Sequence, residues 1–180
     1  MKKIVLTFGV IAGSIVSLMM IFTLGMKDQI DFDNGMVIGY ATMLAAFLLI
    51  YFGIRSYRDT VAGGTVTFGR AVVVGAMIAG IASIMYTATW QVIFFNFRPD
   101  FVEQYSAHQL DAARARGASQ AELDKTAAEM ATFAEQYRNP VINVAYTLLE
   151  ILPLGLLVSL ISAGVLSRRR GAERLATAGG

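Results

Sequence analysis

Apolar residues dominate this chain in four long stretches, Ile4 to Met26, Gly35 to Ile54, Phe68 to Phe97 and Pro140 to Leu166. A hydrocarbon core needs about 20 helical residues to cross it, and each stretch is long enough. Residues 98–139 break the pattern. There Phe101, Tyr105, His108 and Ala112 recur at helical spacing, then Leu123, Ala127, Met130, Ala134 and Tyr137 do so again. Polar positions between them make both runs amphipathic. Gly117 ends the first run, and Ser119 with Glu122 forms a capping box that starts the second. Asn139 and Pro140 open the fourth stretch, with proline at a first helical position where its missing amide is not needed. The pattern predicts an all-α integral membrane protein, a four-transmembrane-helix bundle with an extracytoplasmic helical hairpin over 98–139 between spans three and four, two extensions of those spans being the alternative for this segment. Residues 1–180 form a single membrane domain that ends in a basic tail, 167–180.

Composition agrees with this reading. The hydrophobic fraction is 56% and the mean hydropathy is +0.57, beyond the roughly 45–50% apolar usage of soluble domains. Lys2 and Lys3 before the first stretch raise the alternative of a secretory signal peptide. The apolar run, however, continues to Lys27 without a small-x-small cleavage pattern, far beyond the roughly 7–15 residues of a signal h-region. It is read as a helix that stays.

Charge orients the spans, because positively charged short connections remain in the cytoplasm. Lys2 and Lys3, then Arg55, Arg58 and Arg70, then Arg168, Arg169, Arg170 and Arg174 fall on one side. On the other, Lys27 faces Asp28, Asp31 and Asp33. In residues 98–138 the basic Arg98, Arg114, Arg116, Lys125 and Arg138 are outnumbered by Asp100, Glu103, Asp111, Glu122, Asp124, Glu129 and Glu135. Both termini are expected in the cytoplasm. The net charge of +2 gives no footprint for nucleic acid.

Small residues recur every fourth position within the spans: Gly9, Gly13 and Ser17; Gly35 and Gly39; Gly75, Ala79, Ser83 and Thr87; Gly155, Ser159 and Ala163. Such faces let helix backbones approach in lipid. They predict compact packing within one chain, with a homo-oligomer through one face as the alternative. Tyr40, Tyr51, Tyr86, Trp90 and Phe94 to Phe97 are read as interfacial belt aromatics.

Candidate chemistry is sparse. With no cysteine and a single histidine, His108, there is no thiolate or Cys/His metal set. No Walker, dinucleotide or HExxH pattern occurs, so no catalytic residue, cofactor or metal is assigned and no enzyme is expected. His108 is read as a surface or packing residue, and Gly63 with Gly64 as a turn. Glu150 stands out. It lies about 15 Å along the fourth span from Pro140, near the middle of a core roughly 30 Å thick. A carboxylate at that depth is disfavoured by about 2.5–3.5 kcal/mol, so Glu150 is expected to face the bundle interior or water, protonated or partnered. Pro153, three residues on, disrupts the local helix bonding. Ser83, Tyr86 and Tyr146 are candidate polar neighbours, and Ser14, Ser17, Thr42, Thr87 and Asn143 also lie within spans. Two roles fit: a hydrogen bond that cements the helices, or a proton or ion site.

Three strings carry a family resemblance: Phe68-Gly69-Arg70-Ala71, Asn96-Phe97-Arg98-Pro99-Asp100-Phe101, and Glu150-Ile151-Leu152-Pro153-Leu154-Gly155 followed by Ser159-Leu160-Ile161-Ser162-Ala163. They resemble the bacterial DUF4199 family, small four-span membrane proteins. The resemblance implies the same architecture, a place in the bacterial cytoplasmic (inner) membrane, and Glu150 and Pro153 as part of the family pattern. It implies no substrate, cofactor or catalytic residue. The leading expectation is a non-enzymatic accessory or interaction protein that sits in the lipid bilayer and meets a protein partner through its outer helices. The rival is a small proton-coupled transporter or channel component centred on Glu150, and a ligand or stress sensor is a third reading.

Overall fold

In a computed structural model, which describes residues 1–26 and 32–178, the chain forms six α-helices. They are α1 (Lys2–Gly25), α2 (Phe32–Thr60), α3 (Phe68–Asn96), α4 (Phe101–Ala115), α5 (Gln120–Tyr137) and α6 (Pro140–Ala178). No strand occurs among the described residues. Lys27, Asp28 and Asp31 fall outside the described residues, as do the side chains of Arg168, Arg169, Arg170 and Arg174. Four helices have the length and apolarity to cross a bilayer: Lys2–Gly25, Asp33–Thr60, Phe68–Asn96 and Pro140–Ser167. The helix α2 outruns its apolar stretch by a turn and a half, over which Arg55 pairs with Asp59 at i, i+4.

The chain divides into two compact units, Met1–Tyr86 with Leu148–Gly180, and Thr87–Thr147. In the first, four helices meet through glycines. A Cβ built on Gly9 would lie 2.8 Å from Ile81, and one on Gly13 would lie 2.9 Å from the Met85 Cβ, so α1 and α3 touch where neither glycine could carry a side chain. Gly75 meets Ser159 and Gly155 meets Ala79, each at 2.8 Å, which joins α3 to α6. Gly53 of α2 meets Ile78 of α3 and Phe8 of α1. Around these contacts lie Phe47, Ile50, Ile54, Val74, Ile78, Ile151 and Ala163, all buried. In lipid there is little hydrophobic drive for association, and stability comes from the dispersion contacts that such close approach allows. Gly39, from the expected small-residue face of α2, has no neighbour within 4 Å of its built Cβ. The internal contact of α2 is made by Gly53 instead.

In the second unit, α4 and α5 form as the sequence predicts. Gly117 takes φ +76°, and the amides of Gly117 and Ala118 bond the carbonyls of Arg114 and Ala113, a Schellman ending for α4. Ser119 then caps α5 with both arms of the capping box in place. Tyr105 of α4 packs on Phe133 of α5, their ring centroids 5.5 Å apart. Phe101, Phe133 and Tyr137 continue that cluster to Trp90 and Phe94 of α3. Trp90 is therefore a packing residue of this unit and not only a belt residue. Its indole N–H donates to the Tyr137 hydroxyl at 2.9 Å. At the start of α6 the Asn139 side chain accepts from the Val141 amide, which makes Asn139 the cap and Pro140 the first helical residue.

Candidate functional site

Of the five residues singled out from the sequence, Ser83, Tyr86, Glu150 and Pro153 belong to the first unit and Tyr146 to the second. Ser83 is completely buried inside the first unit, and its hydroxyl has no hydrogen-bond partner. Tyr86 packs at the edge of the same core. Tyr146 belongs to the second unit, where its ring lies against Phe133 and Tyr137 and its hydroxyl donates to the Gln136 side chain at 3.3 Å. Within the first unit Glu150 and Pro153 lie outside the buried core that holds Ser83. Both side chains are exposed on the outer face of α6, one turn apart, together with Leu149 and Leu157.

Of the two placements expected for Glu150, the bundle interior and water, the first is not the one observed. The reason is angular. Ile151 is fully buried and points to the core, and a residue one position earlier is rotated by about 100° on a helix of 3.6 residues per turn. Glu150 is turned away from the core to the flank of α6, exposed and on the side of Tyr40 of α2, where the chain on its own would leave part of the side chain against lipid tails.

One partner from the chain meets it. The hydroxyl of Tyr40, on α2, hydrogen-bonds the Glu150 carboxyl. Counted at 1.5 Å per residue, Tyr40 lies about 12 Å from the start of α2 and Glu150 about 15 Å from the start of α6, so the two residues share a depth when the helices run in the same direction. Sequence reasoning placed Tyr40 in an aromatic belt. The signal that could have paired it with Glu150 was this equal depth on two spans that alternation makes parallel. Pro153 adds a second polar feature to the same face. Lacking an amide hydrogen, it leaves the Leu149 carbonyl without its usual i+4 donor, although α6 continues through it.

A separate buried network in the second unit also escaped the sequence. Asn143 is fully buried; its side-chain oxygen accepts from Gln91 at 2.5 Å and its amide donates to the Tyr137 carbonyl at 3.2 Å. Thr147, one turn on, donates to the Asn143 carbonyl at 2.8 Å. These bonds tie α3, the end of α5 and α6 together, and every polar atom of the Asn143 side chain is used as a structural link. Among the described residues no group of three or more His, Cys, Asp or Glu could hold a metal.

A helical chain carrying four helices of spanning length and apolarity, with a lone carboxyl set on the outer face of one of them, is by class a membrane protein. Residues 7–168 match the family model described as "Protein of unknown function (DUF4199)", and the chain belongs to that family. No curated protein and no solved structure matches it.

Proposed function

We propose that this chain is a non-enzymatic, multi-pass protein of a bacterial cytoplasmic membrane that works by associating, within the bilayer, through the face that carries Glu150 and Tyr40. The observation behind this reading is the position of Glu150, exposed on α6 away from the buried core. A carboxyl facing hydrocarbon is disfavoured by a few kcal/mol, and one tyrosine hydroxyl fills only part of its hydrogen-bonding capacity. Contact with another protein surface removes that penalty. The outer helices are weaker candidates for the contact, because the rings of Phe101 and Tyr105 are already engaged with Trp90, Phe133 and each other. Orientation follows the charge asymmetry. Lys2, Lys3, Arg55, Arg58 and Arg70 lie at the cytoplasmic ends, and the net acidic segment 98–138 lies on the opposite side.

The test is a proton-flux measurement in vesicles that contain the purified chain. With an imposed pH gradient, the association reading expects decay at the rate of protein-free vesicles, for both wild type and Glu150→Gln. Faster decay that Glu150→Gln abolishes would replace this reading with proton transport.

A further inference from the structure

The exposed Glu150 face invites the question of what covers it, and we infer that the occupant is a second copy of this chain. In this dimer the two Glu150 carboxyls hydrogen-bond each other across a two-fold axis along the membrane normal. The inference rests on the reading that this face is an association surface, and it names the partner.

Charge complementarity excludes an ion pair between copies. Among the described residues the cationic side chains of the four spanning helices are Lys2, Lys3, Arg55, Arg58 and Arg70, all at or beyond the ends of the apolar stretches. A second copy therefore brings no cation to the depth of Glu150. What it does bring is an identical carboxyl at an identical depth, because a two-fold axis normal to the membrane relates each atom to its counterpart at the same height. A protonated carboxyl has one donor and free acceptor sites, so it is complementary to itself. Two such groups close a pair of hydrogen bonds, and the Tyr40 hydroxyl on each side occupies a remaining acceptor position.

Steric features point to the same face. Gly9, Gly13, Gly75 and Gly155 are filled by contacts inside the chain, whereas Gly39 of α2, Gly80 of α3 and Gly164 of α6 have no neighbour within 4 Å of a built Cβ. Of these open positions Gly39 directly precedes Tyr40, so the backbone of α2 admits close approach next to the polar pair. Apolar side chains frame the pair, with Leu149 70% exposed on α6 and Val37 66% exposed on α2. A polar group with small and aliphatic neighbours is the arrangement by which membrane helices associate.

The full chain has no cysteine, so single-cysteine variants report contacts without background. Leu149→Cys is placed on the proposed interface and Leu18→Cys, 65% exposed on α1, away from it. In lipid vesicles, the expected result is oxidative cross-linking of Leu149→Cys and not of Leu18→Cys. Single-molecule photobleaching across a range of protein-to-lipid ratios is expected to give dimers that persist in Glu150→Gln, whose amide also donates and accepts. In Glu150→Leu self-association is expected to fall roughly tenfold. A wild-type chain that stays monomeric at every ratio, or a dimer that cross-links through Leu18→Cys instead, overturns the inference. A dimer indifferent to Glu150→Leu does so too. None of these results depends on the proton-flux measurement, which alone decides between association and transport.

Discussion

Gly155 stands so close to Ala79 that a Cβ added to it would lie 2.8 Å from the alanine Cβ and 3.2 Å from the Phe47 ring. Neither neighbour is the far end of a flexible side chain, so α3 and α6 must separate to accept a larger residue. Gly155→Leu is expected to destabilise the protein by about 1–3 kcal/mol, the usual range for overpacking. Gly164→Ala, on the same helix with no neighbour within 4 Å, is expected to be neutral or slightly stabilising. Thermal aggregation midpoints of the two variants in detergent check the contrast.

Asn143 carries the second unit's buried polar link. Replacing it by alanine strands the Gln91 amide and the Tyr137 carbonyl, at an expected loss of about 1–3 kcal/mol. The double variant Gln91→Leu with Asn143→Leu removes donor and acceptor together and is expected to recover a measurable part of that loss. Trp90 is the chain's one tryptophan and donates to Tyr137, so its fluorescence reports unfolding of this unit directly. Strict additivity of the two single leucine variants would contradict the coupling.

Ser83 and Thr87 lie one turn apart on α3 with buried hydroxyls that make no hydrogen bond. Burying a hydroxyl without a partner is unfavourable, so Ser83→Ala and Thr87→Val are expected to be neutral or stabilising. A loss above about 1 kcal/mol in unfolding measurements for either would reveal a partner engaged in the membrane.

Glu122 gives the pH dependence. The Ser119 backbone amide, 2.7 Å from its carboxylate, and then the Ser119 hydroxyl at 2.9 Å hold this carboxyl below its ordinary value. A folded value below the unfolded one makes a contribution that is complete above about pH 4.3 and is lost as pH falls through the folded value. Amide exchange over residues 120–123 is expected to accelerate in that acid window beyond its intrinsic trend. Glu122→Gln should show no such extra acceleration.

Periodicity and capping chemistry made the six helices legible, because both are local. The start of α5 at Ser119, the end of α4 at Gly117 and the proline at the head of α6 follow from backbone preferences of a few residues. Rotation about a helix axis is carried by the small residues: Gly155 and Ser159 meet α3 as their spacing predicts, and Glu150, five residues before Gly155, is rotated by about 140° from that side. The pairings Tyr40 with Glu150 and Gln91 with Asn143 join residues far apart in the chain, and each polar partner alone looks like an ordinary span residue. Phe133, about 40° round the helix from Tyr137, stands at the edge of the stripe through Leu123, Met130 and Tyr137 and completes the aromatic cluster.

The length of α2 has a consequence for where the protein can reside. Its 29 residues reach roughly 43 Å, against a hydrocarbon thickness of about 30 Å. The surplus falls largely on its last turn and a half, where Arg55, Arg58 and Asp59 stand. Arg58 is buried against the helices, but the exposed Arg55 stem is aliphatic up to its charged head, so the helix can sink or rise by several ångströms while that guanidinium stays at the headgroups. The protein thereby carries its own tolerance for bilayer thickness, and lipids of longer or shorter acyl chains should leave the depth-matched pair of Tyr40 and Glu150 intact.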